Sequence, residues 1–322
     1  AVFYYDKAFQ TSTNPKEKQE YKLNILQILA KQNKFAEMGR HIEEAQAITS
    51  DNLTLMFYSG RYYNQVGDYE AARNVMERAT QLLKLKSNNP SEIAGYYYEL
   101  GYAYYKLGLF KEAKEALKYA NVGNYRALVA EMSPDYLYAV ATAYYDIFDY
   151  ETALVLLEEI LKMDSKYAQA VELRVRIFSA QTDKASVIKE MKNATELEPL
   201  ALNKVPKLIE ICKLELGNKK YADAYNTADA CLAIQPNNYV ATFYKVVALQ
   251  KMDKSLDAIK EINNILSYPG IDAETKSKCY FLMGNIYRDK GDSKSADKSY
   301  KNVTQGNYRY AAAREQKKLK EQ

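Results

Sequence analysis

Residues 97–104 read YYELGYAY, and glycine follows at position 108 and alanine at positions 113 and 120. The same outline returns at residues 280–287 as YFLMGNIY and at residues 56–63 as MFYSGRYY. In the first two copies, large apolar residues stand three and seven positions after the first one, which places them on one side of a helix. The sequence therefore predicts a chain built from a repeated helical unit.

The spacing of these positions resembles that of the tetratricopeptide repeat (TPR), a unit of about 34 residues with two helices. The resemblance covers nearly all of the 322 residues, with units that begin near residues 19, 53, 94, 134, 168, 205, 239 and 277. It implies an all-α fold, a right-handed TPR superhelix (α-solenoid) of about eight helix-turn-helix repeats with a C-terminal capping helix. We divide the chain into a partial repeat or capping helix at 1–18, repeats 1–5 at 19–204, repeats 6–8 at 205–310, and a polar capping helix at 311–322.

Glycine and alanine have specific places in this unit. Gly101 lies within the apolar stripe of the first helix, where the second helix must approach closely, and Gly67 and Gly108 are expected to end first helices. The fifth repeat is the weakest, because Val175 and Val187 occupy places of small residues and no glycine separates its helices. We expect the superhelix to change its course there.

Two other local signals concern turns. The insertion at residues 87–93 contains Asn-Asn-Pro, a turn signal. The sequence Gly-Asn-Tyr-Arg occurs at residues 123–126 and again at residues 306–309, each time after the second helix of a strong repeat. Shared turn geometry from repeat duplication is our interpretation, and a paired binding motif is the alternative.

The start of the chain resembles an incomplete repeat. Residues 4–9 have the pattern of a second helix without its first helix. We therefore expect the chain to begin inside a longer array or behind a capping helix. This keeps open a docking or regulatory module of a larger protein, including a membrane-associated complex joined through the missing N-terminal region. The Lys-, Asn- and Tyr-rich composition suggests a bacterial protein, for example one of envelope assembly or secretion.

Charge and hydropathy argue against two classes of partner. The chain has 45 basic and 41 acidic residues, with a net charge of +4, so nothing favours a nucleic acid or a membrane surface. No stretch approaches the roughly 18 consecutive apolar residues of a membrane span. We expect a soluble chain, in the cytoplasm or the periplasm.

Catalytic and metal-binding patterns are poorly represented. His41 is the single histidine, and we interpret it as a surface or groove-edge residue. The phosphate-binding, dinucleotide-binding and zinc-protease motifs do not occur, so we predict no enzyme, no cofactor and no metal. Cys212, Cys231 and Cys279 are interpreted as buried thiols, with a disulfide between the first two as the alternative.

The resemblance to TPR proteins implies a binding surface. In such arrays the first helices line a concave groove, into which positions 2, 5, 6, 9, 12 and 13 of each unit point. Repeats 2–4 place many aromatic residues there, together with charges of both signs. The predicted partner-binding residues are Phe57, Tyr58, Arg61, Asn64, Tyr98, Tyr102, Tyr105, Lys106, Tyr138, Tyr145 and Asp146. The predicted ligand is a protein or peptide, and the predicted function is that of a non-catalytic scaffold or adaptor.

Two alternatives use the same rings. The chain has 31 tyrosines and no tryptophan, so tyrosine also serves as its general packing aromatic, and the rings of the groove can be structural. They can also stack on a single-stranded nucleic acid, although the balanced charge argues against such a partner.

One known TPR function can be compared position by position. The resemblance implies that a clamp for the C-terminal carboxylate of heat-shock chaperones needs Lys and Asn, then Asn, then Lys and Arg, at five groove positions. The chain does not reproduce this pattern, so we predict that it is not a chaperone carboxylate clamp. Repeats 1–3 have Leu23, Gln27, Tyr58, Gly95 and Glu99 at these positions, and repeats 6–8 have Ile209, Lys213, Tyr244, Lys278 and Leu282.

Overall fold

The computed structural model describes residues 1–86 and 89–321, and every regular element in these ranges is a helix. The predicted all-α fold of TPR hairpins is confirmed. The chain forms two compact units, Ala1–Ser133 and Pro134–Gln322. Position 204, where the sequence suggested a division, lies inside the second unit. Of the predicted turn at residues 87–93, Ser87 and Asn88 lie outside the described residues.

Unit 1 contains three complete hairpins and two further helices. Its helices are α1 (Val2–Thr11), α2 (Pro15–Lys31), α3 (Met38–Gln46), α4 (Leu53–Val66), α5 (Tyr69–Lys84), α6 (Pro90–Lys106), α7 (Phe110–Ala120) and α8 (Tyr125–Ala130), with a short 3₁₀ turn at Phe35–Glu37. The pairs α2 and α3, α4 and α5, and α6 and α7 pack as hairpins. The short helix α8 lies against both α6 and α7.

Unit 2 contains the remaining repeats and the last helix. Its helices are α9 (Pro134–Asp146), α10 (Tyr150–Met163), α11 (Ala168–Gln181), α12 (Ala185–Glu196), α13 (Ala201–Gly217), α14 (Tyr221–Ile234), α15 (Tyr239–Lys251), α16 (Ser255–Leu266), α17 (Ala273–Asp289), α18 (Ser293–Lys301) and α19 (Tyr308–Glu321). Helix α13 begins at Ala201, and Pro206 lies inside it. None of the helices in the described ranges combines the length and hydrophobicity that a membrane crossing requires.

Seven hairpins share one turn geometry. Each turn has a residue in the left-handed region, and the N–H of the following residue donates to the carbonyl five positions earlier over 2.8–3.0 Å. This arrangement ends a helix and reverses the chain. The left-handed residues are Asn33, Gly67, Gly108, Phe148, Lys219, Asp253 and Gly291. The predicted roles of Gly67 and Gly108 are thereby confirmed.

The fifth repeat lacks this turn. Thr182 follows α11 in an extended conformation, with φ −63° and ψ 136°. No residue of the link 182–184 has positive φ. As a result α12 packs against α13, while α11 packs against α9 and α10, and the two helices do not close into a hairpin. The repeat whose sequence matches the pattern least is thus the one whose two helices form an open hairpin.

The close approach predicted at Gly101 is confirmed. A Cβ atom at this position would lie 2.6 Å from Cγ and Cδ2 of Leu117 on the second helix. The same relation recurs in the last repeat, where a Cβ at Gly284 would lie 2.3 Å from the ring of Tyr300. Only glycine leaves the space that these side chains fill.

Replacing Gly101 with valine is expected to destabilise the chain by about 1–3 kcal/mol, since overpacking forces Leu117 or the backbone to move. Urea unfolding of Gly101→Val measures this loss. Lys114→Val, at an exposed position of α7, adds the same β-branched side chain without the collision and is the control. In a double-mutant cycle with Leu117→Ala, the two substitutions should couple, and simple additivity would contradict the proposed collision.

The core of unit 2 joins repeats that are distant in sequence. The ring of Tyr144 on α9 lies 5.3 Å from that of Phe281 on α17, and Phe148 lies 5.7 Å from Tyr244 on α15. Helix α19 packs on both α9 and α17. Its polar residues do not all face solvent, because Glu315 is only 1% exposed. The carboxylate is buried because cationic side chains from α17 and α19 reach it.

Candidate functional site

The predicted aromatic residues of repeats 2 and 3 lie together in unit 1. Tyr58 is on α4, and Tyr98, Tyr102 and Tyr105 follow one another at helical spacing on α6. We call these four residues the tyrosine face. Each is partly buried. The rings of Tyr98 and Tyr102 are stacked, with centroids 6.2 Å apart, while the ring of Tyr105 lies 5.7 Å from that of Phe110.

Helix α8 adds a residue that the sequence prediction did not include. The ring of Tyr125, at the start of α8, lies 5.2 Å from that of Tyr98. Its hydroxyl lies over Gly95, where a Cβ would come within 2.7 Å of it. Gly95 also leaves room for the ring of Phe57, which lies 5.1 Å from Tyr96. The sequence feature that could have pointed to Tyr125 is the repeated Gly-Asn-Tyr-Arg sequence that contains it.

That repeated sequence has the same local structure in both places. Gly123 and Gly306 both have positive φ, 53° and 62°, and a helix begins two residues later, at Tyr125 and at Tyr308. The predicted shared turn geometry is confirmed, and the paired binding motif is not tested by it.

Two cations lie beside the tyrosine face. The guanidinium of Arg61 lies 5.3 Å from the ring centroid of Phe35, and Nζ of Lys106 lies 5.4 Å from that of Tyr102. Lys106 is exposed and Arg61 is partly buried. Burial raises the pKa of Tyr58, and the charge of Arg61 opposes this change. The hydroxyl of Tyr58 therefore stays protonated at neutral pH and can donate a hydrogen bond.

A buried polar pair lies beneath the tyrosine face. Nδ2 of Asn64 donates to the backbone carbonyl of Glu99 over 2.9 Å and to Oε2 of its carboxyl group over 2.8 Å. Asn64 is 3% exposed and Glu99 is 6% exposed. Burial raises the pKa of Glu99 to about 7, against the hydrogen bond from Asn64 and the charge of Arg61. The structure thus places Asn64 as a link between two repeats.

The predicted residues of repeat 4 belong to unit 2, where they contact other side chains of that unit. The ring of Tyr138 lies 6.0 Å from Tyr167, and the ring of Tyr145 is stacked on Tyr150 at 5.6 Å. Asp146 accepts a hydrogen bond from the hydroxyl of Tyr308 over 2.9 Å. Their role in binding stays a prediction.

His41 is buried, so its predicted place at a surface or groove edge is wrong. Its Nδ1 lies 3.2 Å from Nζ of Lys22, a fully buried lysine that also pairs with Asp6 at 2.6 Å and with Glu44. Within the described residues, Asp6, His41 and Glu44 form a group with the spacing of metal ligands. The ammonium of Lys22 already supplies positive charge among them, and a metal ion would have to displace it. Burial and the Lys22 charge lower the pKa of His41, so its ring is neutral.

The three cysteines are free and buried, as the preferred interpretation predicted. The thiol of Cys212 donates to the carbonyl of Ala224 over 3.2 Å. Burial raises the pKa of the Cys279 thiol to about 12, which leaves it protonated and unreactive at neutral pH.

Models of two repeat families match parts of the chain. The family described as Fis1 C-terminal tetratricopeptide repeat matches residues 134–183, which end in the open link of repeat 5. The family described as tetratricopeptide repeat matches residues 94–120 and 277–305. The second family model therefore matches repeats 3 and 8, whose sequences deviate least from the pattern.

The individual proteins that are similar to this chain share little sequence identity with it. The DnaJ homolog subfamily C member 7 homolog of Schizosaccharomyces pombe is 24% identical over 283 residues, which cover 80% of this chain and 58% of that protein. The chain therefore spans little more than half the length of this relative. Part of a TPR repeat-containing protein from Cytophaga hutchinsonii is 13% identical, with 87% and 93% of the two chains covered and a TM-score of 0.32. The TPR2AB domain of yeast Sti1, in complex with pHSP90, is 12% identical, with 90% and 100% covered and a TM-score of 0.30.

Proposed function

Since this chain is a tetratricopeptide-repeat protein, we propose that it is a non-catalytic scaffold or adaptor whose tyrosine face holds a segment of a protein partner. The observation that carries the proposal is the set of four partly buried tyrosines on α4 and α6, two of them stacked, with Arg61 and Lys106 beside them. Tyrosine offers a large apolar surface and a hydrogen-bonding hydroxyl at a low cost in side-chain entropy. Such residues often dominate the energy of protein interfaces.

The charges at the face favour a particular ligand chemistry. Arg61 and Lys106 are cationic, and burial raises the pKa of Glu99 beneath them to about 7, which favours its neutral form. A peptide segment with apolar side chains and at least one acidic group would satisfy both the rings and the cations. A chaperone carboxylate clamp is not part of the proposal, because Tyr58, Gly95 and Glu99 stand where that clamp needs Asn, Lys and Arg.

Alanine at Tyr98, Tyr102 and Tyr105 together should weaken partner binding at least about tenfold, because truncating a single interface anchor often costs roughly 1–4 kcal/mol. The measurement is affinity capture from the native cell extract with mass spectrometry, followed by titration of the purified partner. The captured partner would also identify the pathway, such as bacterial envelope assembly or secretion.

A matched control removes three tyrosines elsewhere. Tyr4, Tyr119 and Tyr239 are 74%, 54% and 41% exposed and lie outside the tyrosine face. A partner lost by the face variant and kept by this control supports the proposal, provided that both variants retain the helical circular dichroism of the wild type. If both variants capture the same proteins as the wild type, the tyrosine face is structural and the proposal fails.

The same purified variants test the nucleic-acid alternative. Binding of a single-stranded oligonucleotide that falls steeply with salt concentration and is lost in the face variant would favour it. The small net charge of +4 makes us expect no such binding.

A further inference from the structure

The open hairpin of repeat 5 exposes a surface that the other repeats bury. On α11, Val171, Val175 and Phe178 lie on one side of the helix and are 37%, 60% and 54% exposed. The repeat alignment places them at the positions of Tyr97, Gly101 and Tyr104 in repeat 3. There, Tyr97 is buried and Gly101 meets the second helix. We call these three residues of α11 the α11 stripe. It corresponds to the surface that the first helix of a hairpin buries against the second helix, but here no second helix of the same repeat covers it.

The second half is exposed on α12. Val187 and Ala194 align with Ala113 and Ala120 of repeat 3, which are 2% and 0% exposed. Val187 is 51% exposed, and Ala194 is exposed as well. Leu197, three residues after Ala194, is 84% exposed and continues the same side of the helix. We call these three residues the α12 stripe.

The two stripes carry opposite charges. Arg174 lies three residues after Val171 at the edge of the α11 stripe, and Glu190 lies three residues after Val187 on the α12 stripe. Within the described residues neither side chain forms an ion pair. The chain thus carries two exposed helical surfaces that are complementary in hydrophobicity and in charge.

Contacts within unit 2 keep α12 away from α11 of the same chain. The link is fixed to α13, since Oδ1 of Asn218 accepts from the N–H of Lys184 over 3.1 Å and its Nδ2 donates to the carbonyl of Ala180 over 3.2 Å. On α12, Lys192 pairs at 2.6 Å with Glu215, which is fully buried on α13. Closing the hairpin within one chain would break these contacts.

We propose that the α11 stripe is a docking site for a second copy of this chain, whose α12 stripe packs on it. In a two-fold pair each copy supplies both stripes, so the contact occurs twice and closes. Each α12 keeps its own contacts with α13, and no part of either chain has to unfold. The proposal concerns unit 2 and does not depend on the tyrosine face.

The first experiment is sedimentation equilibrium of the full chain over a range of concentrations. The wild type should show a reversible monomer–dimer equilibrium. Phe178→Glu should weaken it at least about tenfold, since the substitution places two charges in apolar contacts of the pair. Val155→Glu, at a 66% exposed position of α10, is the matched control and should leave the dimer intact.

Charge reversal tests the register of the pair. Arg174→Glu and Glu190→Arg should each weaken the dimer, and the double variant should recover at least part of the affinity. A monomeric wild type at all concentrations, or a dimer that Phe178→Glu leaves unchanged, would overturn the proposal.

Cysteine trapping separates a second copy from closure within one chain. Val175→Cys and Val187→Cys are made as single variants, mixed and oxidised, with the native cysteines buried. A disulfide between the two chains, absent when either variant is mixed with Val155→Cys, supports the proposal. A further variant carries both cysteines in one chain. If only this variant forms the disulfide, and it does so as a monomer, the hairpin closes within one chain and the proposal is wrong.

Discussion

Replacing Glu315 with alanine is expected to destabilise unit 2 by about 3–5 kcal/mol, the usual cost of breaking a buried ion pair. Its carboxylate accepts from Arg288 on α17 over 2.6 Å and from Lys318 over 2.7 Å. Arg288 is only 28% exposed at its side chain, so its charge would be left partly buried. Arg288 keeps its ion pair with Asp289 in the variant, so we expect a loss of stability at the lower end of this range.

The measurement is urea unfolding of the full chain, with hydrogen exchange to locate the loss in α17 and α19. Glu172→Ala is the control, because it breaks an ion pair with Arg176 whose side chains are 65% and 59% exposed. Such a pair contributes no more than about 0.5 kcal/mol. Equal unfolding curves for Glu315→Ala and the control would contradict the assigned role of Glu315.

The pH dependence of the Glu315 contribution has a definite sign. Burial alone would raise the pKa of Glu315, but the charges and hydrogen bonds of Lys318 and Arg288 hold it below its usual value. A carboxyl group with a lowered pKa stabilises the folded state above its unfolded pKa, and this contribution is lost as the pH falls through the folded pKa. The difference between wild type and Glu315→Ala should therefore shrink in acid.

Replacing Glu99 with glutamine is expected to stabilise unit 1 at pH 8 by roughly 2–3 kcal/mol, while leaving it nearly unchanged at pH 5. Burial raises the pKa of Glu99 from 4.5 to about 7, so the folded state favours the neutral acid. This shift corresponds to roughly 3 kcal/mol. The contribution of the neutral acid is fully present below pH 4.5 and is lost as the pH rises through 7. Glutamine is neutral throughout and can still accept the hydrogen bond from Asn64.

Urea unfolding at pH 5 and pH 8 checks this prediction, with hydrogen exchange of α6 to assign the change to unit 1. The control is Glu115→Gln, whose side chain is 67% exposed. Its effect should be small at both pH values. A Glu99→Gln variant that is destabilised equally at pH 5 and pH 8 would show that the charged carboxylate is needed in the folded state.

The repeated hairpins could be predicted because their requirements are local. Gly67 and Gly108 take the left-handed conformation that ends a helix, and Gly101 leaves space for Leu117 of the same repeat. The turns of other repeats use non-glycine residues for the same purpose, such as Phe148 and Lys219. These were not predicted, because the backbone conformation of such residues depends on how firmly the surrounding hairpin packs.

The candidate site was predicted less completely. The spacing on α6 placed Tyr98, Tyr102 and Tyr105 on one side of the helix, and the rings of Tyr98 and Tyr102 are stacked. Tyr125 joins them because α8 packs back on α6, a contact that no periodicity indicates. The role of Tyr98, Tyr102 and Tyr105 in binding stays a prediction.

By itself, the sequence determined the helices, the hairpin unit and the weak fifth repeat, since periodicity, glycine placement and side-chain size act within some 34 residues. Which polar residues are buried depends on how the helices pack. Lys22 meets Asp6 and His41, Asn64 meets Glu99, and Glu315 meets Arg288, each from a different helix. From the sequence alone, a charged residue is expected to face solvent. The partner that offsets the cost of its desolvation reaches it only when the chain folds, so its burial could not be predicted.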